Sequence, residues 1–172
     1  MGLLRHDDDP GERRFQMREK LASIGDDFWI TDDHDERVYK VDGKALRIRD
    51  TFILEDRDGQ EVAKIQEKKL TVRDKMTVER RGEKVATVHK ALIGIRDRFE
   101  IDVEHGDDLK AKGNFVDHEY EIKRDGDVIA KVSKKWFRIR DTYGIEVHGG
   151  EDVPLMLALT VAIDQMSHDR AG

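Results

Sequence analysis

The sequence predicts a mainly β protein: a closed antiparallel barrel of about twelve strands, built of repeated hairpins around one apolar C-terminal helix. Three observations carry that expectation. Apolar and charged residues alternate with period two from about residue 14 to His148. A hairpin unit of about 23 residues recurs along that stretch. After Gly149-Gly150 the alternation gives way to a segment that is apolar on every side.

Alternation decides how the composition should be read. Asp, Glu, Lys and Arg make up 41% of the 172 residues, hydrophobic residues 37% and aromatics 6%, against roughly 25% charged in an average soluble protein. Low hydrophobicity with high net charge leaves a chain unfolded. Here 38 acids offset 32 bases, so the net charge is only −6, and the charges interleave with Val, Ile, Leu and Phe. A period of two sends one set of side chains inward and the other outward, as in antiparallel sheets with one wet face. The length suits a single domain that buries roughly 70% of its unfolded surface.

Taken in order, residues 1–13 form a polar, flexible lead-in with Asp7, Asp8, Asp9 and Pro10. Residues 14–168 form the barrel domain and 169–172 a tail. Leu46-Arg-Ile-Arg49, Leu70-Thr-Val-Arg73, Phe99-Glu-Ile-Asp-Val103, Tyr120-Glu-Ile-Lys123 and Trp136-Phe-Arg-Ile-Arg140 read as strands. Arg49-Asp50, Arg73-Asp74, Arg96-Asp97 and Arg140-Asp141 recur at spacings of 24, 23 and 44 residues, with Asp117-His118 where a degenerate copy falls. A second marker, Asp58-Gly59, Arg81-Gly82, His105-Gly106 and Asp125-Gly126, precedes strands. Three copies continue alike, as Val62-Ala63, Val85-Ala86 and Ile129-Ala130, and Trp29–Asp33 followed by Val38–Val41 is a weaker earlier copy. X-Gly supplies the positive φ of a tight hairpin. Arg-Asp makes the return turn, its carboxylate bonding nearby amides. Five such units plus flanking strands give roughly twelve strands, and that many antiparallel strands close to remove exposed edges. Trp29 and Trp136 are expected to anchor the core.

The last element is a helix from about Asp152 onward, with Asp152 as cap and Pro154 in its first turn. Its uninterrupted apolar stretch, Val153 to Ile163, is 11 residues, short of the roughly 20 that span a bilayer. A helix apolar on every face that does not span a membrane is core. A closed sheet wider than about eight strands cannot be filled by its own side chains, so the helix belongs in its lumen.

These residues resemble a known family. Lys131–Val147, with Trp136-Phe-Arg-Ile-Arg-Asp-Thr-Tyr-Gly-Ile-Glu-Val147, followed by Glu151-Asp152 and Leu157–Asp164, is similar to the C-terminal signature of the LURP-one-related family. Leu70–Lys75 and the turn from Asp56 to Ala63 also match its pattern, and the resemblance covers about residues 15–167. It implies a Tubby-like fold, a twelve-stranded barrel around a central C-terminal helix, shared with phospholipid scramblases. Tubby C-terminal domains bind phosphoinositide head groups, and plant LURP-one proteins are linked to pathogen defence. No copy of the Tubby phosphoinositide motif is present, so the resemblance implies fold more than function.

Function classes narrow by exclusion. With no Cys there is no disulfide framework, thiolate zinc site or Cys nucleophile. The N-terminus lacks the apolar run of a signal peptide. A pI near 5.7 argues against bulk nucleic-acid binding. There is no G-x-S-x-G elbow, P-loop or Rossmann fingerprint, so the protein reads as a non-enzyme with no cofactor. The loop Asp32-Asp33-His34-Asp35-Glu36 has hard donors for a cation but lacks the Gly and terminal Glu of an EF-hand. A polar turn is the favoured reading, and no metal is expected. Two basic clusters remain, Lys68, Lys69, Arg73 and Lys75, and Lys134, Lys135, Arg138 and Arg140, at equivalent places in two hairpins. They could form a cationic stripe for phosphate head groups, or a solvated face paired across strands with interspersed acids such as Glu67, Asp74, Glu79 and Asp141. The leading expectation is a non-enzymatic binding module at an anionic phospholipid surface. The alternative is a structural or interaction scaffold for a protein partner without lipid affinity. A cytoplasmic location with peripheral membrane contact is expected, and a scramblase-like activity ranks below both for want of a spanning helix.

Overall fold

The computed structural model describes residues 11–18, 27–43, 51–70, 73–91, 98–137 and 141–168, with only the backbone of Lys69, Leu70, Arg73, Asp74 and His168. Twelve strands follow one another: β1 (Arg13–Arg18), β2 (Phe28–Asp32), β3 (Arg37–Asp42), β4 (Thr51–Asp56), β5 (Glu61–Leu70), β6 (Arg73–Arg80), β7 (Glu83–Lys90), β8 (Arg98–Val103), β9 (Leu109–Asn114), β10 (Glu119–Arg124), β11 (Asp127–Ser133) and β12 (Thr142–Val147). Among the described residues one helix, α1 (Val153–His168), follows β12. Each strand pairs antiparallel with its sequence neighbours, and β12 returns to β1 from Arg13↔Val147 to Arg18↔Thr142, closing the barrel.

Turn chemistry follows the residue types. Arg81-Gly82 and Asp125-Gly126 have positive φ at both positions, the two-residue turn whose twist matches a hairpin. In the β4–β5 turn Asp56 Oδ1 accepts from the amides of Asp58 and Gln60 at 2.9 and 3.0 Å, and Gly59 takes the left-handed position. The weaker copy repeats this geometry: Asp32 Oδ1 accepts from the amides of His34 and Glu36 at 2.9 Å, with Asp35 at φ 59°. The Asp32–Glu36 loop is therefore a polar turn of the same design. Gly106 departs from its expectation, since it is not among the positive-φ residues. The β8–β9 connection is longer, and Asp108 accepts from the Val103 amide instead.

Arg-Asp falls at strand starts. Asp141 takes φ 60° immediately before β12, and His118 takes φ 51° immediately before β10. Arg49-Asp50 and Arg96-Asp97 lie outside the described residues, as does Leu46–Arg49. Leu70–Arg73 is split between two strands: Leu70 ends β5 and pairs antiparallel with Arg73, which opens β6, while Thr71 and Val72 lie outside the described residues. Trp136 and Phe137 likewise lie after β11 rather than in a strand, and Arg138–Arg140 is outside the described residues.

The inward face and the helix make one core. Ala63, Ala86 and Ala130 are fully buried, as are Phe15, Phe52, Phe99, Ile101 and Ile145 on the walls. Every residue from Leu157 to Ile163 has zero exposure, so wall covers the helix on all sides. Asp152 caps it, accepting the Leu155 amide at 3.1 Å while Arg80 holds its other oxygen at 2.5 Å. Neither Trp joins the core. Phe28 and Ile30 point inward, which turns Trp29 outward, half-buried beneath Arg37 at 5.5 Å. Trp136 and Phe137 lie against the outer side of β12 over Gly144, where an added Cβ would come within 2.8 Å of both rings. Arg14 stacks on Trp136 at 5.2 Å.

Candidate functional site

Strand direction sorts the candidate residues by rim. Neighbours are antiparallel, so all odd-numbered strands run the same way. The ends of β5 and β11 therefore share a rim with the starts of β6 and β12. Helix α1 begins beside the end of β12 and rises about 24 Å over its 16 residues, so its C-terminus reaches that same rim, here the exit rim. Lys68, Lys69, Arg73 and Lys75, with Lys134 and Lys135, all lie toward it. Arg138 and Arg140 are outside the described residues.

Closure separates the two clusters. The β5–β6 hairpin and the β11–β12 pair are six strands apart around the twelve-strand ring, so they occupy opposite walls and do not join in one stripe. Within the first, Lys68 stands directly opposite Lys75, and Lys75 opposite His89 on β7. Like charges placed opposite each other destabilise a ladder. Lys68 donates to Gln66 Oε1 at 3.0 Å. In the second, Glu119 Oε1 accepts from Ser133 Oγ at 2.9 Å and from the Lys134 amide at 3.1 Å, which anchors the turn and leaves Lys135 exposed.

Elsewhere cross-strand pairing dominates the outer face. Lys40 meets Glu55 at 3.0 Å and Asp27 at 3.8 Å, and the Glu55 contact raises its pKa. Lys84 meets Glu104 at 3.1 Å, and Arg124 grips both oxygens of Glu151 at 2.7 and 3.0 Å. At the exit rim the β9–β10 turn carries Val116, the exposed large hydrophobic among the described residues at 62%.

A polar group inside the core was not foreseen. His118 Nε2 and Asp164 Oδ1 lie 2.5 Å apart with side chains 1% exposed, and His118 stacks on Tyr143 at 4.2 Å. Tyr120 is also buried, and desolvation first, then the Asp164 charge, hold its hydroxyl well above the ordinary range. The pair joins the turn before β10 to the helix. It is sealed from solvent.

Known proteins agree with this architecture. No functionally curated protein matches the chain. An Arabidopsis thaliana protein solved by X-ray crystallography is similar over 92% of this chain and 93% of its own, with a TM-score of 0.70 at 18% identity, a likeness of fold. The LURP-one-related family model matches residues 13–164, from the first residue of β1 into the buried helix, and the chain belongs to the LURP-one-related family.

Proposed function

We propose that the protein is a non-enzymatic binding module whose exit rim contacts anionic phospholipid head groups. The observation that carries this reading is the gathering on one rim of the opposed Lys68 and Lys75, the exposed Lys135 and the exposed Val116. A basic residue near an anionic bilayer contributes about 1 kcal/mol, and bound phosphate would relieve the Lys68–Lys75 repulsion. An exposed apolar side chain on the same rim as such bases suits the head-group boundary. No described helix is long and apolar enough to cross a membrane. The proposed contact is peripheral, from the cytoplasmic side. Lys69, Arg73, Lys134, Arg138 and Arg140 belong to the same proposal.

Flotation with liposomes tests it. Binding should require anionic lipid and fall as salt rises from 50 to about 500 mM, because the Debye length shrinks from above 10 Å toward a few Å. Charge reversal at Lys68, Lys69, Lys134 and Lys135 should weaken it more than reversal at Lys40 and Lys84, which are already paired. Equal binding to neutral liposomes, or none to anionic ones, removes the lipid reading. The second reading, a scaffold for a protein partner, draws on the paired charges over the rest of the outer face and is favoured by that second outcome.

A further inference from the structure

The closure seam between β1 and β12 holds a second constellation, at the opposite rim from the basic clusters. One residue beyond the pair Arg13↔Val147, Glu12 faces His148, with His148 Nε2 3.4 Å from Glu12 Oε1. Glu146 lies two residues along β12 on the same outward face. One donor atom from each of Glu12, Glu146 and His148 falls within 4.8 Å of the others. These are not free surface groups: the side chains are 21%, 10% and 35% exposed.

Two features of the chain hold the group together. Gly11 and Gly149 approach so closely that a Cβ on either would lie 2.6–2.7 Å from the other's Cα. Their missing side chains let residue 12 reach the end of β12. Arg14 donates from Nε to Glu146 Oε2 at 2.6 Å while its guanidinium rests on the Trp136 ring. That fixes the Glu146 carboxylate and leaves its other oxygen to a ligand, the part an outer-shell partner plays at metal centres.

We propose that Glu12, Glu146 and His148 bind a first-row transition dication, with Zn²⁺ as the representative ion, which staples the first strand to the last. One imidazole nitrogen with two carboxylates suits Zn²⁺, Co²⁺, Ni²⁺ or Mn²⁺, whereas Mg²⁺ and Ca²⁺ prefer oxygen alone. Bonds of about 2.0–2.2 Å bring donors to about 3.5 Å apart, so metal entry draws the Glu12 and His148 side chains in toward the fixed Glu146 carboxylate. Two carboxylates against Arg14 leave one net negative charge before the ion enters. Three protein ligands leave a fourth position for water.

The full chain is titrated with Co²⁺, followed by visible absorption, and with Zn²⁺, followed by thermal unfolding. Zn²⁺ at about 100-fold above its Kd should raise Tm by ~5–10 °C for a domain of this size, and Mg²⁺ or Ca²⁺ should not. Glu12→Gln and His148→Ala should each weaken Co²⁺ binding by at least about 10-fold and abolish the Tm shift. His105→Ala, in the β8–β9 turn, should keep both. Glu12 precedes the strand ladder, so Glu12→Gln keeps the test decisive if His148→Ala fails to fold. No Tm shift with Zn²⁺, or undiminished Co²⁺ binding in Glu12→Gln, overturns the proposal; the latter places the ion on scattered surface imidazoles.

Discussion

His118 stands where the hairpin repeat departs from its own pattern. The other described copy before a strand, Asp141, turns the chain at φ 60° and faces solvent, while His118 turns it at φ 51° and is buried against Asp164 and Tyr143. The degenerate Asp117-His118 copy was visible as a spacing. The burial was not, because its partner is 46 residues away on the helix and no local pattern links them. A buried pair broken on one side leaves an uncompensated polar group. His118→Ala should therefore lose about 3–5 kcal/mol in urea unfolding. His118→Asn should recover only the backbone's share, because Asn tolerates the left-handed conformation. A loss under about 1 kcal/mol would mean that Asp164 is satisfied without the imidazole.

At the scale of elements, four hairpins share one irregularity. The register slips between Ile30 and Thr31, Leu54 and Glu55, Val78 and Glu79, and Ile122 and Lys123. In each case the partner strand has one extra residue: Val38, Val62, Val85 and Ile129. Val62, Val85 and Ile129 are the β-branched residues that precede Ala in the repeated motif, and Val38 holds the same place before Tyr39 in the weaker copy. A bulge bends the strand and increases its twist, and placed once per hairpin it helps curl the sheet toward closure. The motif was legible in the sequence, but a one-residue slip shows only when two strands are aligned, so the bulge was not. The same limit misplaced Trp136: the alternation Phe137-Arg-Ile-Arg140 that follows it reads as a strand, yet the Gly144 backbone opposite offers a flat outer wall for the Trp136 and Phe137 rings. At three of the four bulges the residue that follows is an Ala, and Ala63, Ala86 and Ala130 are fully buried. Ala63 is fully buried on β5, a wall that packs on the helix, and its small size leaves that helix room. Ala63→Leu should overpack this contact and cost about 1–3 kcal/mol, read as a lower midpoint with unchanged slope in denaturant. A neutral or stabilising result would show slack between wall and helix.

Across the whole molecule, closure is what converts a meander into sites. Strand number, antiparallel order and the central helix were legible because each rests on short-range periodicity plus the need to cover edges and fill a wide lumen. The separation of the two basic hairpins to opposite walls follows only from the closed order, and the seam group joins Glu12 to Glu146, 134 residues apart in sequence. Closure in turn depends on the helix. Twelve strands enclose more space than their own side chains fill, and Leu157, Leu159, Val161 and Ile163 occupy it with zero exposure. A chain ending at Asp152 should therefore keep strand-rich far-ultraviolet circular dichroism at most, lose cooperative unfolding and bind a hydrophobic dye, as loosely packed states do. Leu159→Ala grades the same effect, with an expected cost of about 2–5 kcal/mol for a cavity at the centre of the lumen. If the shortened chain instead unfolds in one sharp transition and excludes the dye, the walls must collapse on one another, and the helix would be a passenger rather than the core around which the barrel closes.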